Sequence, residues 1–444
     1  MTIGTLPDDA HLYVFDIYLA EASEVEAWHT LVHVCRRWRI LVFGSPRRLN
    51  LRIACTNETP VREMLDVWPA LPIVISGFCD DSQTCIKAAL EHHDRVCQVE
   101  IFLTWNLDIF EAVFKASQDP SRALTVLKLY LTDTETTDSI PPLSVQYLGG
   151  ATHLRSLSLA WIPLPGLRNL LLSSADLVDL RLMLIPLSVC SFPDEMVAAL
   201  SALTRLQVFH FEPEFDKFHP YWKSRHLSLP TRTVLPSVIE LRFEGVIDYL
   251  DDFMSRIDAP LLGHLDIVAS FILDSVMVFN NPHILRFINR VPKLQAFDEA
   301  HIGGGGFKVW INFLSTRASS GVLNLVIFCM EPVWQFPCLA QFCRSPFFPL
   351  PTLKHLYKDV GKFLRDCSQD DMEIIRWREL LRPFTSVKNL YLSEDYIRRI
   401  APALEELGGE TATEVLPALE NVLIENFRVY GSVREEFRNV ATMR

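Results

Sequence analysis

Several residue groups in this chain have types that could do chemistry. Cys79, Cys85, His92, His93 and Cys97 fall in one stretch and could be imagined as zinc ligands. Zinc sites pair their ligands two to four residues apart, and this spacing is not one of the usual pairs. Cys338 and Cys343 are no better spaced. His29 and His33 stand at i and i+4, but Thr30 follows His29 where a zinc protease needs Glu, so they read as surface histidines. Gly303-Gly304-Gly305-Gly306-Phe307-Lys308 lacks the Gly-Lys-Ser/Thr ending of a phosphate loop and reads as a flexible insertion between repeats. No Gly-x-Ser-x-Gly elbow occurs. Asp251-Asp252 and Asp370-Asp371 are adjacent, and adjacent acids do not face each other on a helix. These residues imply no metal, no cofactor and no catalytic centre. Asn57-Glu58-Thr59 fits the glycosylation pattern, which means little without secretion.

Composition narrows the function further. The 444 residues are 49% hydrophobic, 22% charged and 11% aromatic, an ordinary globular balance. Net charge is −12, and no Lys/Arg-dense segment is present, which argues against nucleic acid as a partner. No apolar run approaches the length that spans a bilayer, so no membrane partner is expected. The start of the chain lacks a basic region followed by an apolar core. The ten cysteines are scattered and read as reduced thiols in a cytoplasmic and/or nuclear protein.

The elements that would position a binding site come next. Leu6-Pro7-Asp8-Asp9 opens a helix, because Pro suits the first turn and acids suit its positive end. Leu12, Phe15 and Leu19 form one apolar stripe along it. Glu21 to Glu26 reads as a solvated loop. Trp28, Leu31, Val32 and Cys35 form a second stripe, and Trp38, Leu41 and Val42 a third, closed by Gly44-Ser45-Pro46. Three short helices cannot hold a large core alone and need a partner or the rest of the chain.

At Leu6-Pro7 and Cys35-Arg36-Arg37-Trp38 the segment resembles an F-box. The continuation Phe43-Gly44-Ser45-Pro46-Arg47-Arg48-Leu49-Asn50-Leu51 is similar to F-box-like leucine-rich-repeat proteins of the type expanded in mushroom-forming (basidiomycete) fungi. The resemblance implies docking onto the Skp-type adaptor of a cullin ubiquitin ligase, with Leu6, Pro7, Leu12, Phe15 and Trp38 as the contacts. Ala10-His11 stands where the family usually has a larger apolar pair. Such a change removes roughly 1–3 kcal/mol of burial per large side chain.

A second signal fills the remaining chain. The pattern apolar–x–x–apolar–x–apolar starts at Leu124, Leu154, Leu177, Leu206, Val238, Leu262, Val387 and Leu419. Weaker copies start at Val96, Leu294, Val322 and Leu353, and Leu49–Ile53 reads as a first strand. Each copy predicts a short strand whose last two apolar residues share a face. One such unit cannot bury that face, but stacked units can. The fold expected is therefore α/β: an N-terminal three-helix F-box-like module (1–46), an irregular leucine-rich-repeat-like solenoid or horseshoe (47–432), and a C-terminal capping helix (433–444).

Residues between the apolar positions would line the open strand face. Tyr130, Arg181, His210, Glu240, Arg242, His264, Asp266 and Tyr391 are the candidate substrate contacts, beside Lys128, Glu244 and Glu425. A face of mixed charge with aromatics suits a protein partner. The leading expectation is a non-catalytic substrate-recognition subunit of a Skp–cullin–F-box ubiquitin ligase, bringing an unknown protein substrate close to the ubiquitin carrier. The alternative is a non-catalytic repeat scaffold whose N-terminal helices only cap the array. The exposure of Leu12, Phe15 and Trp38 discriminates the two.

Overall fold

The computed structural model describes residues 6–21, 27–44, 50–67, 70–103, 109, 112–113, 124–132, 153–162, 166–186, 193–214, 232–270, 282–305, 307–315, 321–328, 335–345, 350–358, 378–393 and 415–425. The expected capping helix at 433–444, the loop at 22–26, Asp370-Asp371 and Cys190, Cys329 and Cys367 lie outside them. The chain forms two compact units, Met1–Ser191 and Phe192–Arg444.

The first unit opens with helices α1 (Asp8–Glu21), α2 (Ala27–Val34) and α3 (Arg36–Gly44). Helix α1 starts at Pro7, whose carbonyl accepts the amides of Ala10 and His11 at 3.1 and 3.2 Å. Asp8 and Asp9 occupy its first turn, where the helix dipole favours them. Only Cys35 separates α2 from α3. Its Sγ accepts the Trp38 amide at 3.4 Å, serving an otherwise orphaned donor of the first turn. The Cys-Arg-x-Trp spacing thus starts a helix. Arg52 then donates to the Leu19 carbonyl at 2.8 Å, tying α1 to the sheet that follows.

That sheet consists of β1 (Leu51–Cys55), β2 (Ile73–Phe78), β3 (Val96–Leu103), β4 (Val126–Leu131), β5 (Ser156–Ala160) and β6 (Asp179–Pro186). Each is parallel to the next, in sequence order. Helices α4 (Val61–Val67), α5 (Cys79–Leu90) and α6 (Leu167–Ser173) lie in the connections.

The second unit holds α7 (Pro193–Leu200), β7 (Val208–Glu214), β8 (Thr233–Val234), β9 (Glu240–Val246), α8 (Ile247–Ser255), β10 (Ile257–Asp258) and β11 (His264–Ser270). It continues with α9 (Pro282–Arg290), β12 (Glu299–Gly305), β13 (Lys308–Leu314), β14 (Val322–Phe328), α10 (Gln335–Cys343), β15 (His355–Lys358), β16 (Asn389–Ser393) and β17 (Asn421–Glu425). Its sheet runs β7-β9-β11-β14-β13-β12-β15-β16-β17, and β8 pairs with β10 separately.

The apolar pattern makes the core of both units. Leu154, Leu157 and Leu159, then Leu177, Leu180 and Leu182, are fully buried. Leu206, Phe209 and Phe211 continue the pattern in the second unit, as do Leu262, Leu265 and Ile267. A backbone device repeats with it. The carbonyl just before a strand accepts the two amides that open the next strand. Arg155 receives Val178 and Asp179, Gln207 receives Ile239 and Glu240, and Lys354 receives Lys388 and Asn389. Identical brackets at successive strands make this a stack of repeated strand units, stabilised neighbour by neighbour. At β15 the third core position is taken by Lys358, which is buried.

Two sequence expectations are corrected here. Gly303–Gly305 is not a flexible insertion: it is the end of β12, paired antiparallel with β13. Gly305 pairs with Lys308, and only two residues separate them, the length a tight hairpin uses. Nor do the copies at Leu294 and Val322 follow in series. The chain places β12 three strands beyond β11, then doubles back through β13 and β14 to pair with β11. The reason is connection length. A parallel crossover needs about a dozen residues or more. The links between β12 and β13 and between β13 and β14 are shorter, so those strands turn back. Among the described residues, no helix is long and apolar enough to cross a membrane.

Candidate binding surfaces

In the N-terminal helices the inner contacts are aromatic. Phe15 is 3% exposed, and its ring meets Trp38 edge-on with centroids 4.8 Å apart. His11 is 2% exposed, its ring 5.9 Å from Trp38 and its Nδ1 3.1 Å from the Pro7 carbonyl. His11 thus keeps its burial and does not forfeit it, as its polar type suggested. Arg37 fastens the same corner, donating to Asp8 at 2.6 Å and to the Leu6 carbonyl at 2.7 Å. Trp28 packs against Phe43 at 6.1 Å between α2 and α3.

Of the expected adaptor contacts, Phe15 is buried, Leu6, Leu12 and Trp38 are half-buried, and Pro7 is exposed. The open apolar side chains of α1 are others: Tyr13 at 67%, Val14 at 47% and Ile17 at 43% exposed. Their spacing puts them on one helix face, opposite His11 and Phe15. The sequence reading missed them because it assigned a single stripe to a helix that is apolar on both sides.

On the first unit's sheet, the side chains facing away from the core form rows set by the parallel register. One row is aromatic: Phe78 stacks on Phe102, and Phe102 on Tyr130, each with centroids 4.9 Å apart. The adjoining row is polar, with Lys128 on Glu100 at 3.1 Å and Ser158 3.4 Å from the Tyr130 hydroxyl. Arg181 pairs with Asp179 at 3.1 Å. Tyr130 and Arg181 lie on this face.

The second unit brings most of the other candidates into one row. His210 neighbours Arg242, Arg242 neighbours Asp266, and Asp266 neighbours Asn324. The row continues through Asn312, His301, Tyr357 and Tyr391 to Leu423. Glu240 and His264 pair with each other in the row beside it. Asn324 donates to Asp266 at 2.7 Å. Arg242 reaches Glu244 at 3.4 Å and Asp266 at 3.6 Å. Burial and the neighbouring Glu244 push the Glu212 carboxyl up to about 7, against the pull of Arg242. At the other end His301, Tyr357 and Tyr391 stack, with centroids 4.4 and 4.1 Å apart. His355 Nδ1 lies 3.2 Å from Asn389 and 3.4 Å from the Tyr391 hydroxyl. Tyr357 sits at an alternating position that was legible in the sequence. His301 was not, because it lies on the hairpin.

Several of the groups weighed for chemistry have structural partners. Asp251 accepts the amides of His283 and Ile284, each at 2.9 Å, so it caps α9 from the neighbouring helix. Asp252 binds Arg256 through both oxygens. Cys85 shares a thiol hydrogen bond with Cys55, and burial pushes both thiols up. Cys97 donates to the Ile73 carbonyl at 3.3 Å. Among the described residues, no three His, Cys, Asp or Glu side chains gather as metal ligands.

No family model matches the chain. No curated protein sequence matches it either. Among solved structures it is similar to the leucine-rich repeat-containing protein LegL7 from Legionella pneumophila. The TM-score is 0.31 at 11% identity, covering 89% of this chain and 98% of that one.

Proposed function

We propose that this protein is a non-catalytic substrate receptor of a Skp–cullin–F-box ubiquitin ligase, built on a leucine-rich-repeat-like array. The N-terminal helices dock the adaptor, and the open strand face of the repeats holds a protein substrate. The observation that carries the reading is the exposed apolar face of α1, Tyr13, Val14 and Ile17, together with Leu6-Pro7 and the Cys35-Arg36-Arg37-Trp38 helix start. Contiguous exposed apolar side chains are a feature of protein-contact surfaces. The mechanism is proximity: the receptor raises the local concentration of a substrate lysine near the charged carrier.

The test is binding of a purified Skp-type adaptor to the full chain. Tight binding that is lost in Tyr13→Asp/Ile17→Asp, and weakened in Leu6→Ala/Trp38→Ala, supports the reading. No binding by the folded chain overturns it. A second reading, a repeat scaffold with a helical cap, draws on the burial of Phe15 against Trp38 and His11. In that reading the aromatic residues serve the module's own core.

A further inference from the structure

Among the described residues, the open face of the second unit carries more carboxylates than cations. Strands β9 and β11 present Glu240, Glu244 and Asp266, and Arg242 is the one Lys or Arg among their residues. Its ion pairs, at 3.4 and 3.6 Å, are long. A cationic partner would meet these carboxylates favourably. Such a surface also draws and orients oppositely charged partners. Farther along the same sheet the character changes. The Tyr357–Tyr391 stack offers two parallel rings, and Leu423 beside it is 41% exposed.

We propose that this face takes a basic, extended segment of a protein partner. Its Lys and Arg side chains lie over the carboxylates of β9 and β11, and its apolar side chains lie over Tyr357 and Tyr391. The proposal rests on the receptor reading above and names its substrate class. The dimensions fit. Neighbouring strands are about 4.8 Å apart, so the six steps from β9 to β16 span roughly 29 Å. An extended chain covers that length with about nine residues. A bare cation fits poorly, because among the described residues no ligating trio gathers. A nucleic-acid backbone would be repelled by the same carboxylates.

The experiment uses the full chain and a fluorescein-labelled peptide, about a dozen residues long, with a Lys/Arg half and a Leu/Tyr half. A Glu-substituted counterpart and oligolysine are the controls, and anisotropy is the readout. The basic–apolar peptide should bind at least about tenfold tighter than its acidic counterpart and weaken at high salt. Glu240→Gln/Glu244→Gln should lower that affinity about fivefold or more, and Glu240→Lys should lower it further. Asp194→Asn/Glu195→Gln, which removes exposed charge on α7, should leave it unchanged. Tyr357→Ala/Tyr391→Ala should weaken the basic–apolar peptide and spare oligolysine. Equal losses in the face and α7 variants, or no binding by the unaltered chain, overturn the proposal. Adaptor binding is measured on the same preparations. Lost peptide binding with intact adaptor binding sinks the basic-segment proposal alone, and the reverse sinks the ligase reading alone.

Discussion

The Trp310 indole covers Gly303, its partner across the β12–β13 ladder, so closely that a Cβ on Gly303 would lie well inside van der Waals contact with the ring's Cζ2. Glycine is required there by the close approach and not by a loop. The ring takes the place of the missing side chain and pins the register of the hairpin. This explains a glycine run that has the composition of a flexible linker and the structure of a strand.

Gly303→Ala should therefore destabilise the chain by roughly 1–3 kcal/mol through overpacking. Chemical denaturation measures it. Adding Trp310→Ala should recover part of the loss, because the two residues share one contact. Equal, additive effects of the two substitutions would contradict the contact.

The two faces of α1 should behave differently. Phe15→Ala removes a buried ring from the contact with Trp38 and His11, and should cost roughly 3–5 kcal/mol. Tyr13→Ala and Ile17→Ala lie on the open face and should shift stability by no more than about 0.5 kcal/mol each. Thermal melts of the purified variants separate the classes. A large loss for Ile17→Ala would show that the open face is covered.

Asp251 acts between repeats. Its Oδ1 serves two amides at the start of α9, so Asp251→Ala leaves two donors without their acceptor. The expected cost is about 1–3 kcal/mol. Asp251→Asn keeps an acceptor oxygen and should cost less. Amide exchange at His283 and Ile284 gives a local readout and should accelerate in the alanine variant first.

Glu212 predicts a pH dependence with a definite sign. Its folded carboxyl titrates at about 7, raised from 4.5 by burial and by Glu244. The fold therefore favours the protonated form. The stability that this preference supplies is complete below about pH 4.5 and is lost as pH rises towards 7. Glu212→Gln should be more stable than the unaltered chain at pH 8, by on the order of 1 kcal/mol after solvent screening. The advantage should vanish near pH 4. A pH-independent difference between the two proteins would remove Glu212 as its source.

The sequence alone determined where strands form and which residues they bury. Leu154, Leu157 and Leu159 or Leu262, Leu265 and Ile267 show it, because a two-residue period is local information. It also determined the helix start at Pro7, whose missing amide donor suits a first turn, whereas the break at Cys35, read as part of the second stripe, came from the structure. Only the tertiary structure decided the order β11-β14-β13-β12-β15, the cover of Trp310 over Gly303, and the cap that Asp251 lends to α9. It alone decided that His11 is spent inside the helical module and that His301, Tyr357 and Tyr391 stack. Each of these joins segments distant in the chain. Their energy depends on which surfaces remain to be buried after the local elements form, and no local pattern of residues carries that information.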